Sequence, residues 1–244
     1  MRETIRLFCL PHSGATAQGY LRWTKALPSW IEVRPVETPG RGARAGEAPR
    51  TDLVGLAQDL AAELEPQLGS AYALFGHSVG AIVAFELAHA LIARGAPAPS
   101  RLFASASAAP ALRDDRARAE PMSDEALLDE LRRLGGTPEE ALAEPELMAL
   151  VLPALRADFL MSGFYARRPR APLPCPITAL GGAQDDVAPQ AIAAWEAETS
   201  AGFAMRLLEG GHFFIHERER EALDLVVDGL SAAAAAEADA RVAA

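Results

Sequence analysis

Cysteine is scarce in this chain of 244 residues: Cys9 and Cys175 are the only two. Two distant thiols cannot form a disulfide framework and fall short of the four ligands of a structural zinc site. Each is expected to be a small buried hydrophobe in a reducing compartment. Positive charge is also short, with 23 Lys and Arg against 33 Asp and Glu and a formal charge of −10. That balance argues against binding nucleic acid or an anionic membrane over the whole surface. No apolar run approaches the roughly 18 residues of a membrane helix without a charge or proline breaking it. The apolar run at 5–10 is too short for the core and cleavage site of a signal peptide, so a cytoplasmic location is expected. What remains is an ordinary globular balance, 50% hydrophobic and 23% charged residues, in a chain long enough to fold around one core.

Short apolar runs alternate with longer helical patterns, which predicts an α/β fold with a mostly parallel sheet flanked by crossover helices. The strand candidates are 5–10, 31–36, 71–75, 101–106, 177–180 and 203–208. Helices are expected at 19–27, 52–68, 79–94, 191–199 and 216–230. The second of these repeats Leu53, Leu56, Leu60 and Leu64 at spacings of three and four. Between 107 and 170 the rhythm changes to helix throughout. Ser123 and Thr137 read as helix N-caps, the latter with Pro138 at N1 and Glu140 at N3. Pro145 and Pro153 are expected to break the rest into short pieces. This stretch is read as a helical lid inserted over the carboxyl edge of the sheet, where open α/β sheets bind ligands. Residues 1–230 then form one domain, and the Ala-rich 231–244 a frayed helix end.

The strongest local signal is Gly76-His77-Ser78-Val79-Gly80, a G-x-S-x-G between a predicted strand and a predicted helix. The pattern suits a nucleophile in a tight, strained turn, because bulky residues two positions away would collide with strand or helix. The Val79 N–H falls at a helix N-terminus, where partial positive charge favours an oxyanion. A serine hydroxyl needs a base, and the chain has five histidines: His12, His77, His89, His212 and His216. His212 follows a strand and two glycines that can bring a loop back across the sheet edge, so it is the expected base. His89 reads as structural, His216 as a surface or capping residue, and His77 as packing beneath the turn. The acid should lie in Gly182-Ala183-Gln184-Asp185-Asp186, after the fifth strand. Asp185 is preferred over Asp186. The chain order Ser–Asp–His is that of α/β-hydrolases. A second oxyanion donor is expected from the backbone N–H of Ser13 in Pro11-His12-Ser13-Gly14, with His12 lining the pocket. No metal site is expected.

Taken together, these motifs resemble the type II thioesterases of polyketide and nonribosomal peptide biosynthesis. The resemblance runs from about Arg6 to about Phe214. It adds to the motifs above Pro39-Gly40-Arg41-Gly42, Leu134-Gly135-Gly136-Thr137-Pro138, Leu152-Pro153-Ala154-Leu155-Arg156-Ala157-Asp158 and Gly210-Gly211-His212-Phe213-Phe214. It implies an α/β-hydrolase fold with a helical lid and hydrolysis of acyl thioesters from the phosphopantetheine arm of acyl or peptidyl carrier proteins. It also implies Ser78, Asp185 and His212 as the triad, with Ser13 and Val79 as oxyanion donors. The partner carries the phosphopantetheine, so no cofactor of its own is expected. Two positions depart from the family pattern. The usual Gly-Asp-x-Asp-Pro here has Ala183 for the first Asp and Asp186 for the Pro, and the usual Pro-His-Ala-Gly-Gly has Ser13 and Ala15.

Carrier proteins are commonly acidic, so an enzyme of charge −10 calls for a local basic patch. Arg113, Arg116 and Arg118, and then Arg167, Arg168 and Arg170, bracket the expected lid. Arg167 and Arg168 are the partner-binding candidates, while Arg41 is assigned to its turn, with a place near the mouth of the site as the alternative. Among the lid's apolar positions, Leu127, Leu128, Leu131, Leu155, Phe159 and Met161 are candidates to shape an acyl pocket, Phe159 foremost. A monomer is expected. The same triad would also serve a product-releasing thioesterase or a stand-alone carboxylesterase, and a non-catalytic acyl-carrier-binding module is the alternative from another class.

Overall fold

A computed structural model describes the backbone of residues 3–243 and the side chains of residues 3–233. Six strands, β1 (Ile5–Leu10), β2 (Ile31–Pro35), β3 (Ala71–His77), β4 (Arg101–Ser105), β5 (Ile177–Gly182) and β6 (Phe203–Leu208), form one sheet in the order β2-β1-β3-β4-β5-β6. Every pairing is parallel. The order reverses between β1 and β3, so the crevice outside their carboxyl ends is where this topology places a ligand.

Helices α1 (Trp23–Ala26), α2 (Leu53–Leu64) and α3 (Val79–Ala93) connect the first strands. Between β4 and β5 lie α4 (Asp124–Leu134), α5 (Glu139–Leu142) and α6 (Pro145–Phe164); α7 (Pro189–Ala193), α8 (Phe214–Glu217) and α9 (Glu219–Ala243) complete the chain. Alternation along the strands divides the core. In β3, Tyr72 and Leu74 pack with Leu60, Phe85 and Trp195 on one face. Ala73 and Phe75 pack with Trp23, Phe103, Phe214 and Val226 on the other. α3 is buried almost all round, which explains why its sequence is apolar without a polar stripe. A third cluster, Leu127, Leu142, Met148, Leu152, Leu155 and Phe159, is internal to the α4–α6 segment.

All six expected strands form, within two residues at their ends. Several helical expectations need correction: 216–230 is interrupted at Arg218, between α8 and α9, and 191–199 is the end of α7 followed by a 3-10 turn, Ala194–Glu198. The stretch 19–27 divides into two short turns, and Thr137 does not cap α5: Pro138 occupies the N-cap position, without a side-chain bond. Pro153 does not break its segment. α6 runs 20 residues through it, because Leu152, Ala154, Leu155, Ala157 and Phe159 are buried there and that packing outweighs one missing amide and its carbonyl clash. Ser123, as expected, caps α4 by accepting from Ala126 N–H at 3.2 Å. α6 is long and apolar enough by composition to cross a membrane, but 56% of its most apolar window is buried inside the domain. The backbone is helical as far as Ala243; Ala244 and the tail side chains after Ala233 lie outside the described residues.

Candidate active site

β3 ends at His77 and α3 starts at Val79, so Ser78 alone makes the turn, at φ 57° and ψ −121°. A non-glycine residue in such a conformation stores on the order of 1–3 kcal/mol and persists only where its surroundings enforce it. Ser78 N–H donates to the Ser105 carbonyl at 2.8 Å, and Ala81 N–H donates to the Ser78 carbonyl at 3.0 Å. The flanking glycines are a matter of space. A Cβ on Gly76 would run into the backbone of Gly80, and one on Gly80 into the carbonyls of Leu10 and Pro11. β1, β3 and α3 therefore meet with no room for side chains. The Val79 amide stands at the first position of α3, where helix geometry supplies no intrahelical acceptor.

Two loops bring the other groups to this turn. After β5, Ala183 N–H donates to Leu208 O at 2.7 Å and Gln184 N–H to Gly210 O at 3.0 Å. The Gln184 side chain accepts from Gly210 N–H at 2.5 Å. The loop after β5 is thus stitched to the loop after β6, across Gly182 and Gly210. Asp185 and His212 emerge from that seam. His212 Nδ1 lies 3.0 and 3.2 Å from the two Asp185 oxygens, and His212 Nε2 lies 3.0 Å from Ser78 Oγ. Val187 N–H also donates to Asp185 Oδ1, at 3.3 Å. The Asp185 carboxylate is 3% exposed, whereas that of Asp186 is 80% exposed and pairs with Arg133. Of the two adjacent aspartates, Asp185 alone is placed to orient the imidazole.

Three further histidines surround Phe213. His77 is fully buried beneath the turn and hydrogen-bonds through Nδ1 to Ser105 Oγ at 2.9 Å. His12 donates through Nδ1 to Ser13 O at 3.1 Å and meets Phe213 edge-on at 4.8 Å. Burial pushes the His77 pKa well below its usual value and that of His12 down to about 4. Both are neutral at pH 7, so neither sets a positive charge beside His212. His216 is exposed, bonded to Arg22 and stacked on Phe213. His89 packs on Phe85 in α3.

Ser78, His212, Asp185, His12 and Ser13 open onto one cavity of about 380 Å³. Its far wall comes from the α4–α6 segment: Leu131, Leu134, Met148, Val151, Leu155 and Phe159. Phe159 is almost fully buried, with the Arg118 guanidinium 4.7 Å over its ring. Leu127 and Met161 are buried away from the cavity, and Leu128 packs within the lid cluster. Leu134, Met148 and Val151 escaped the sequence reading because helical apolar stripes do not say which stripe faces a void.

The arginines divide differently from expectation. Arg167 donates from Nε and Nη2 to the buried Glu198 at 2.7 and 3.0 Å, so its charge is committed inside the protein and does not stand free for a partner. Arg170 clamps Glu86, and Arg113 is enclosed by Asp115, Ser107 and Ser162. Arg168 is exposed and shows no ion pair among the described residues. Arg41 is not confined to its turn: its buried guanidinium holds Asp158 of α6 bidentately, at 2.6 and 2.7 Å. No group of three or more His, Cys, Asp or Glu among the described residues could hold a metal.

The profile of the thioesterase domain family matches residues 5–232. The chain belongs to the thioesterase family. This thioesterase is 41% identical over 231 residues to the thioesterase PikA5 of Streptomyces venezuelae, covering 93% of this chain and 82% of that one. Among solved structures, it is similar to RedJ, the thioesterase of the prodiginine pathway in Streptomyces coelicolor. The TM-score is 0.87 and the identity 39%, with 93% and 91% of the two chains covered. It is also similar to BorB, the type II thioesterase of the borrelidin biosynthetic cluster, at a TM-score of 0.84 and 37% identity, with 93% of each chain covered. The thioesterase is accordingly an α/β-hydrolase-fold enzyme acting on thioesters, of the type II class found in nonribosomal peptide and polyketide pathways.

Proposed function

We propose that this thioesterase releases acyl groups from the phosphopantetheine arm of acyl or peptidyl carrier proteins, by way of an acyl-serine on Ser78. The observation that carries the reading is the run of hydrogen bonds from Ser78 through His212 to Asp185 at the edge of the cavity. Ser78 Oγ attacks the thioester carbonyl as His212 Nε2 takes its proton, and Asp185 stabilises the imidazolium. The Val79 and Ser13 amides hold the oxyanion; each such donor is worth about 10²–10³ in rate. The tetrahedral adduct expels the arm's thiolate, which takes the proton from His212. Water then attacks the acyl-serine, passes a proton to His212, and the carboxylic acid leaves as Ser78 regains its hydrogen.

The cavity wall suits an apolar acyl chain, since its helices present mainly Leu, Met, Val and Phe. Arg168, and Arg116, which is 87% exposed and among the described residues paired only with the exposed Asp114, are the bracketing arginines left to meet an acidic carrier. The test is a panel of acyl-loaded carrier proteins followed by intact mass spectrometry, with Ser78→Ala in parallel. Wild type should strip acyl groups while Ser78→Ala loses about 10⁶ in turnover, as expected where a triad acts as a unit. Equal hydrolysis by both proteins would overturn the reading. Matched small oxygen esters hydrolysed faster than carrier thioesters would favour a carboxylesterase.

A further inference from the structure

The loop after β1 supplies Ser13, and its conformation is held from outside by a buried ion pair. Asp158 of α6 accepts Gly14 N–H at 2.8 Å on the same oxygen that takes Arg41 Nη1 at 2.6 Å. Its other oxygen takes Arg41 Nη2 at 2.7 Å. Arg41 Nη1 also reaches the Ala15 carbonyl at 3.4 Å. Both charged side chains are about 5% exposed. The loop is gripped a second time where Ala17 N–H donates to Glu37 Oε1 at 3.0 Å. Gly14 is left-handed, at φ 75°, and a Cβ there would lie 3.1 Å from Leu155 of α6. Three segments distant in sequence, the β1 loop, the turn after β2 and α6, thus share one carboxylate.

Burying two charges has a large desolvation cost, and an apolar pair of the same volume is often as stable. The pair is therefore weakly explained by stability alone, but its geometry fits a positioning task. Asp158 fixes the Ser13–Gly14 peptide plane through the Gly14 amide, and the plane before it, which carries the Ser13 N–H, is held by Ala15 N–H donating to the His12 carbonyl at 3.1 Å. We infer that Arg41 and Asp158 are positioning residues: they hold the Ser13 amide at its oxyanion-binding angle and tie that angle to the seating of α6 on the cavity. A misplacement of about 1 Å in such a group can lower a rate about 10²-fold. This inference rests on the serine mechanism proposed above.

The experiment compares wild type with Arg41→Met/Asp158→Leu, which replaces the pair by apolar side chains, and with Arg41→Lys, which keeps the charge but loses the fork. Each is measured for thermal midpoint, for kcat and KM on a small acyl thioester, for affinity toward a trifluoromethyl ketone that forms a tetrahedral adduct with serine, and for phosphonate labelling of Ser78. The double variant should fold, keep KM within about threefold, and lose about 10²-fold in kcat, with a parallel loss in ketone affinity. Arg41→Lys should fall between it and wild type, and carries the comparison if the double variant does not fold. Folded variants with undiminished kcat and ketone affinity would overturn the positioning role alone. Failure of wild-type Ser78 to label would overturn the serine mechanism instead.

Discussion

Asp185 and His212 come within 3.0 Å of each other across a seam of two loops, while the adjacent Asp186 turns outward to Arg133. The two carboxylates share a backbone and differ in every physical respect that bears on a triad. Asp185→Asn should preserve the fold but favour the wrong imidazole tautomer, lowering kcat by about 10⁴. Asp186→Asn should leave kcat within a few-fold. Steady-state kinetics on one small thioester decides it, and a larger loss in the Asp186 variant would reverse the assignment.

Arg133 and Asp186 face one another from α4 and the acid loop, both on the wall of the cavity. Both are substantially exposed, so the pair contributes about 0–1 kcal/mol to stability. Its position matters more, since it bridges the inserted helices to the catalytic edge. Asp186→Ala should raise kcat/KM severalfold for a bulky acyl thioester and change it little for an acetyl one. Added salt should have the same effect on wild type and none on the variant, because exposed pairs are screened. Identical responses for large and small acyl groups would count against a gate at this position.

How much of this could be read from residues alone depends on sequence distance. The turn at Ser78 was legible because strand, glycines and helix lie within one short window and the steric reason is local. The six strands were legible because apolar runs bounded by turn residues need no knowledge of partners. Arg41 and Asp158 are 117 positions apart, and only the folding of α6 against the β1 loop brings them together. Arg167 looked free for the same reason, since Glu198 lies 31 residues on, beyond β5. Chain order could not separate Asp185 from its neighbour Asp186; the His212 contacts and the opposite exposures of the two carboxylates do.

Pro153 gives a direct test of the energetics of α6. Lacking an N–H, it leaves the Ala149 carbonyl without its helical partner, although its own ring is exposed. Pro153→Ala restores the donor and removes the ring's clash without opening a cavity. It should stabilise the protein by about 1–3 kcal/mol, with the thermal midpoint rising about 2–4 °C per kcal/mol for a chain of this size. A lowered midpoint would mean that the proline sets a bend on which the packing of Leu152 and Leu155 depends.

The buried imidazoles set an acid limit on stability. In the unfolded chain His12 and His77 protonate near 6.5; in the folded protein His12 resists protonation down to about 4, and His77 is likewise held well below its usual value, because burial disfavours the charged ring. Between those values the unfolded chain holds more protons, so stability is fully present above 6.5 and falls as the pH is lowered toward 4. For His12 the full depression corresponds to on the order of 3 kcal/mol. Asp115 and Glu130, whose pKa values are lowered by Arg113 and by Arg133 and Arg118 respectively, lose their contributions at more acid pH. Urea unfolding between pH 7.5 and 5.0 therefore isolates the histidines. The midpoint should fall steadily over that interval, and His12→Phe, which keeps an aromatic edge on Phe213, should flatten part of the slope. A midpoint constant over the interval would show that these rings titrate as they do in water.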